Sequence, residues 1–279
     1  MKNFLLHLYR SKPIYNHRSK WILLILCSIF VILRLPSLIE PHWYGDEGIY
    51  QVVGRALNQG RVLYRDIWDN KPPILYIIYA VAGGSLFTAK LFSLLAGLFS
   101  VIIFHKLSKK LFKKPASIYI ATGCYVVLFG SPILEGNIAN AENFMLLPIV
   151  CSAYLVYLYV ENRKLFQLAV AGVLLSIALM TKIVTVFDFS AFALVVLVSN
   201  RAIKIKEKIK PLLIFTGFFL SVFLFFIVNF LLIGTFRESL NSILFMYAVV
   251  YCSSIARERS ALIAASIATR IASVRFEYW

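Results

Sequence analysis

Long apolar runs separated by short charged stretches set the pattern of this chain. Seven such runs span about residues 21–39, 89–108, 116–134, 144–160, 165–181, 184–199 and 211–233. None alternates polar and apolar positions as a half-buried strand does. Runs of about 20 apolar residues are what a helix needs to cross a bilayer, so all seven read as membrane-spanning helices. The polar pieces between them predict less regular elements. Residues 40–72 form a first loop, with a short helix over Gln51–Asn58 ended by Gly60. Pro72-Pro73 opens the next element, because proline is tolerated in a first helical turn. Ile74 to Val81 is too short to span, and Gly83-Gly84 breaks it, so 73–86 reads as an interfacial or re-entrant helix. Residues 135–143 make a second, short loop, and 253–275 an amphipathic interfacial stretch.

Composition turns this pattern into a fold class. The chain has 279 residues, 60% of them hydrophobic, with a mean hydropathy of +0.80. A soluble domain of this length cannot hide that much apolar surface, and in lipid every backbone polar group must be satisfied within helices or a closed barrel. The expectation is an all-α integral membrane protein of about seven transmembrane helices, with interfacial helices in its first extracytoplasmic loop. Its organisation reads as a basic cytoplasmic N-terminus (1–20), a transmembrane core (21–234) and a less apolar, incomplete segment (235–279). Basic residues before an apolar run also describe a signal peptide, but no small-residue cleavage site follows, so the first run reads as a retained helix.

The net charge of +16 raises nucleic-acid binding, and the distribution of charge argues against it. Of 29 basic residues, five lie in 1–20, five in 106–114, two in 163–164 and five in 201–210. These segments alternate with the spans as cytoplasmic loops do, since Lys and Arg are retained inside. Eight of the 13 acids (Glu40, Asp46, Glu47, Asp66, Asp69, Glu135, Glu142 and Asp188) then fall on the opposite face. Cys27, Cys124, Cys151 and Cys252 have no metal-type spacing and imply no disulfide framework. Arg34 sits in the outer third of the first span, where it either snorkels or meets an anionic headgroup.

The chemistry concentrates in the first loop. Asp46 and Glu47 are adjacent, so on a helix or turn their side chains diverge by about 100° and cannot form a facing pair. One can act as a base on a hydroxyl held within hydrogen-bond reach. They equally fit a helix N-terminal pair that favours the dipole, and pattern alone leaves both readings open. Glu142, on the second loop, can supply another carboxylate. Arg55, Arg61, Arg65 and Lys71 share the first loop, and Lys182 reaches the same face from the fifth span; such cations suit a phosphate. No nucleotide-binding fingerprint is present. A divalent metal held by His42, Asp46, Glu47 and Glu142 is an open alternative with unspecific spacing.

The ordered set Arg34-Leu35-Pro36, Asp46-Glu47-Gly48-x-Tyr50, Gly60-x-x-x-Tyr64-Arg65-Asp66 and Asp69-x-Lys71-Pro72-Pro73 resembles the start of the bacterial GT-C glycosyltransferases. These are similar to the dolichyl-phosphate-mannose–protein mannosyltransferases and to the aminoarabinose transferase of lipid A. Asn137-x-x-Asn140-Ala141-Glu142 and Thr181-Lys182 followed by Phe187-Asp188 extend the likeness over about residues 30–235. The resemblance implies a GT-C-like core, an extracytoplasmic active site in the cell membrane, a polyprenyl-phosphate sugar donor, a lipid, glycan or protein acceptor, and inversion at the anomeric carbon. It implies Asp46 as the base, Glu47 as the neighbouring acid, Glu142 as the second acidic position and Lys71 near the donor phosphate. Arg55, Tyr64, Arg65 and Lys182 read with Lys71 as candidate binders of the donor phosphate or sugar. Ile49 and Asn70 depart from the aminoarabinose relatives, which have Arg and Glu there. The alternatives are a non-catalytic lipid-linked-glycan binder or flippase, and a truncated, inactive transferase.

Overall fold

The computed structural model describes residues 17–41, 44–199 and 205–245. The predicted amphipathic stretch at 253–275 lies outside them, as do His42 and Cys252. All seven apolar runs are helical: α1 (His17–Arg34), α4 (Leu86–Leu111), α5 (Pro115–Gly130), α6 (Ala141–Asn162), α7 (Leu165–Leu179), α8 (Thr185–Val198) and α9 (Ile205–Ile233). The first loop adds α2 (Gly45–Asn58) and α3 (Pro73–Val81), and α10 (Phe236–Leu240) follows α9. No strand forms among the described residues beyond a single bridge between Leu63 and Ile67. The chain is an all-α, multi-pass membrane protein.

Four stretches are long and apolar enough to cross a membrane: Ser19–Leu38, Leu86–Leu111, Ala141–Asn162 and Ile209–Ile233. Helices α5, α7 and α8 have only 16, 15 and 14 residues. At about 1.5 Å per residue they are roughly 21–24 Å long, short of a hydrocarbon core of about 30 Å. A 3₁₀ turn (Pro132–Leu134) extends α5. Helix α7 is the innermost of the three. Leu168, Ala171, Leu175 and Ala178 are fully buried at helical spacing, and α6 and α9 pack on either side. Gly172 makes this approach possible: a Cβ there would lie 2.6 Å from the Phe215 carbonyl oxygen. Trp21, Leu24, Ile25 and Ile32 of α1 and Leu213, Leu224 and Leu231 of α9 stay exposed, as lipid-facing side chains do.

Helix α2 begins at Gly45, well before the predicted Gln51. Asp46 and Glu47 occupy its first turn, where negative charge complements the helix dipole. It packs on α3 through Tyr50, Val53 and Gly54, and a Cβ on Gly54 would meet the Tyr79 carbonyl carbon at 2.7 Å. Helix α3 stops at Val81, short of the predicted 86. Gly83 and Gly84 follow at φ +67° and +65°, left-handed conformations that only glycine adopts cheaply. Together α2 and α3 form a layer across one end of the bundle, with a core of Tyr50, Val53, Leu63, Tyr64, Leu75, Tyr76 and Tyr79. Ala139 and Ala141 of the second loop pack into that core, so both loops lie at the same end. Lys110 and Glu161 pair at 2.7 Å between the C-terminal ends of α4 and α6, at the opposite end.

Candidate functional site

The two adjacent acids of the first loop go to different places. Asp46 is half-buried and accepts a hydrogen bond of 2.9 Å from the Tyr50 hydroxyl, one helical turn on. Glu47 is fully buried and accepts one of 2.7 Å from the Ala139 backbone N–H. The divergence expected of neighbours on a helix therefore separates one accessible carboxylate from one structural anchor. Tyr79, from α3, donates to the Ala139 carbonyl at 2.8 Å. Both polar groups of Ala139 are thus held, one by α2 and one by α3.

Lys71 is fixed through its main chain. Its N–H donates to the Tyr76 hydroxyl at 3.0 Å, and its carbonyl accepts from the Tyr64 hydroxyl at 2.7 Å. Tyr76 in turn donates to Asp69 at 2.8 Å. Tyr64 has φ +67°, an uncommon value for tyrosine, and its ring meets Phe230 of α9 edge-on at 5.5 Å. Burial raises the Tyr50 and Tyr76 hydroxyls above the ordinary tyrosine range, and their aspartate partners, Asp46 and Asp69, raise them further. Both therefore remain donors at any physiological pH.

The start of α3 meets the end of α7. Pro73 has no N–H, and the next orphan donor of the first turn, the Ile74 N–H, is satisfied by the Met180 carbonyl at 2.9 Å. That seam brings the Lys71 segment beside Lys182, in the link between α7 and α8. Lys182 Nζ donates to the Glu142 carboxylate. Burial, and then the Lys71 ammonium, push Lys182 below the ordinary lysine range, while Glu135 and Asp46 pull it upward. Lys71, Glu135, Asp46 and Glu142 thus share one electrostatic neighbourhood around Lys182.

The remaining predicted residues serve local structure. Arg55 donates from Nε to the Gly84 carbonyl at 3.1 Å, alongside Gln51 at 2.6 Å. It closes the far end of α3, a helix length from Lys71. Arg65 is exposed and pairs at 3.0 Å with Asp66, whose carboxylate also accepts from the Val62 N–H at 2.8 Å. Tyr64 supports the Lys71 carbonyl from beneath. Arg34 neither snorkels nor faces lipid. It is 1% exposed and donates to Ser93 of α4 at 2.7 Å, in the field of Glu47 and Glu40.

Several residues of this region were not legible as such. Lys90, one turn into α4, is fully buried and lies 3.6 Å from both Glu47 and Glu40. A lone lysine in an apolar helix is the signal that points to it. Asn137 donates to Glu40 at 3.0 Å, and Asn140 caps α6 by accepting from the Asn143 N–H at 3.0 Å. Among the described residues no group of three His, Cys, Asp or Glu is placed to hold a metal ion.

With this geometry in hand, the comparison with protein families is decisive. The family model described as dolichyl-phosphate-mannose-protein mannosyltransferase matches residues 71–228, more than half of the chain. The chain belongs to this family. It is a membrane glycosyltransferase family of the GT-C kind, so the fold class and the kind of activity expected from the sequence both stand. The match contains Lys71, Lys90, Glu142 and Lys182 and begins after Asp46, Glu47, Arg55, Tyr64 and Arg65. No curated protein and no solved structure matches the chain.

Proposed function

We propose that the chain transfers a sugar from a polyprenyl-phosphate donor to an acceptor hydroxyl at the extracytoplasmic membrane face, with inversion at the anomeric carbon. The observation that carries this reading is the shared field of Asp46, Lys71 and Lys182 at the end of the bundle where both loops meet. A carboxylate and two amino groups in one field separate the two tasks of the reaction. Asp46, held by Tyr50, takes the acceptor proton as the oxygen attacks the anomeric carbon. Lys71 and Lys182 stabilise the negative charge that gathers on the departing lipid phosphate. Such charge stabilisation in a site shielded from water is commonly the largest catalytic term.

Glu142 would hold Lys182 until the donor arrives and then help orient the acceptor. Glu47 in this reading supports the site rather than touching substrate. Arg55 and Arg65, which the sequence offered as phosphate partners, act instead on loop structure. The core at 21–234 carries the reaction, and the positive-inside distribution of Lys and Arg orients the loops outward.

The test uses the purified chain in lipid with a panel of radiolabelled polyprenyl-phosphate sugars. Transfer to an endogenous or added hydroxyl acceptor, with an inverted product anomer, is the expected result. A retained anomer, or movement of the labelled lipid between leaflets without transfer, would overturn the reading.

A further inference from the structure

Beneath Asp46 lies a cluster of charges with a buried centre. Lys90 and Glu47 are both 0% exposed. The Lys90 ammonium stands 3.6 Å from Glu47 Oε2 and 3.6 Å from Oε2 of the partly buried Glu40. Arg34 of α1 approaches from the same side of α4, on Ser93, about one turn beyond Lys90. Asn137 enters from the second loop on Glu40, and the Ala139 N–H on Glu47. Two cations and two carboxylates therefore balance one another. Among the described residues, Glu47 Oε2, Lys90 Nζ, Arg34 Nε and Asn137 Oδ1 are buried without a hydrogen-bond partner. The group is held by charge more than by direct hydrogen bonds.

We propose that Lys90 is a positioning residue for Asp46. It faces the buried Glu47 carboxylate at 3.6 Å, and so fixes the first turn of α2, in which Asp46 is the preceding residue. The inference rests on Asp46 being the base. Lys90 itself is sealed from substrate, and its action runs through the backbone of α2. Glu47 has two restraints, the Ala139 N–H and the Lys90 ammonium. Without the cation, a fully buried carboxylate is left unpaired and is driven toward water, which frees the turn that carries Asp46. Displacement of a reacting group by about 1 Å is enough to cost roughly 100-fold in rate.

The test compares wild type, Lys90→Met, Lys90→Arg, Glu47→Gln and the double variant Lys90→Met/Glu47→Gln, each as the full chain in lipid. It reads kcat, donor KM and the midpoint of thermal unfolding. Lys90→Met is expected to lower kcat by about 100-fold with donor KM within about twofold, and Lys90→Arg to recover about tenfold of that loss. The double variant, with no lone buried charge, is expected to unfold at a higher temperature than Lys90→Met, yet to keep a low kcat. If Lys90→Met does not fold, the neutral double variant and Lys90→Arg carry the kinetic comparison. Wild-type kcat in Lys90→Met or in the double variant overturns the proposal, as does failure of arginine to restore any rate. Unfolding midpoints that fall additively overturn it whether or not transfer is detected. A wild-type chain without transfer contradicts the proposed function instead, and the unfolding cycle alone then decides the Lys90–Glu47 link.

Discussion

Glu47 Oε1 and the Ala139 backbone N–H, 92 residues apart in the chain, meet at 2.7 Å. This contact joins the first loop to the second and makes one surface of them. It also explains why two adjacent carboxylates are useful where a facing pair is impossible. One is consumed in holding the loops together, and the other is left at the surface they create.

The Tyr50–Asp46 hydrogen bond is the direct support of the proposed base. A hydrogen bond to a charged group contributes about 1.5–3 kcal/mol, which corresponds to roughly 10- to 100-fold in rate if it is needed in the transition state. Tyr50→Phe is therefore expected to lower kcat within that range. The ring still packs against Tyr76 and Tyr79, so the unfolding midpoint should move little. Steady-state kinetics beside thermal unfolding in the same detergent checks both halves.

The pH dependence of donor binding should follow Lys182. Its depressed value means that the ammonium loses its proton below the ordinary lysine range, so donor affinity falls as pH rises toward that range. Glu142 contacts the ammonium and favours its charged form. Glu142→Gln is expected to move the alkaline limb of donor KM to lower pH, and Lys182→Arg to remove that limb. The stability sign is the reverse. A lysine depressed in the folded state favours folding above its unfolded value, and that contribution is lost as pH falls through the folded value. KM measured across the alkaline range for the three proteins decides the matter.

Two of the three glycines of α2, Gly54 and Gly48, should respond in opposite ways. Gly54→Ala puts a Cβ 2.7 Å from the Tyr79 carbonyl carbon, a backbone atom that cannot step aside. Overpacking of this kind costs about 1–3 kcal/mol, and a lower unfolding midpoint is expected. Gly48 has nothing within 4 Å of its Cβ position. Gly48→Ala gains up to about 1 kcal/mol of helix propensity and should raise the midpoint or leave it unchanged.

Arg55 and Lys71 share the first loop and should nonetheless fail differently. Lys71→Met is expected to raise donor KM and lower kcat while leaving the fold intact, since Lys71 is fixed through its backbone. Arg55→Ala removes a hydrogen bond to Gly84 and should lower the unfolding midpoint with little effect on donor KM. A donor KM that responds equally to both would place Arg55 back at the phosphate.

The fold was legible because lipid permits few solutions. Apolar runs of about 20 residues must be helices, and the spacing of Lys and Arg clusters orders them. The end of α5 was less legible: the apolar run continues to 134, but the helix stops at Gly130 and Pro132 opens a 3₁₀ turn. The start of α2 lies at Gly45 rather than Gln51, since its first turn is polar and its helicity depends on acids at the N-terminus. At the site, Asp46, Lys71, Glu142 and Lys182 could be named from their loops. Lys90 could not, because its meaning depends on Glu47 and Glu40, which approach it from other elements. Arg34 shows the same limit: its partner, Ser93, is 59 residues away.

The most direct test of the account measures donor turnover by wild type and Asp46→Asn side by side. Purified protein in lipid vesicles is given radiolabelled polyprenyl-phosphate sugar, and release of polyprenyl phosphate is followed with and without acceptor. The account predicts acceptor-dependent turnover in wild type and its loss in Asp46→Asn, with donor binding and the unfolding midpoint preserved. Turnover by Asp46→Asn at the wild-type rate would contradict it, and the base would have to be sought elsewhere on the surface that Glu47 and Ala139 hold together.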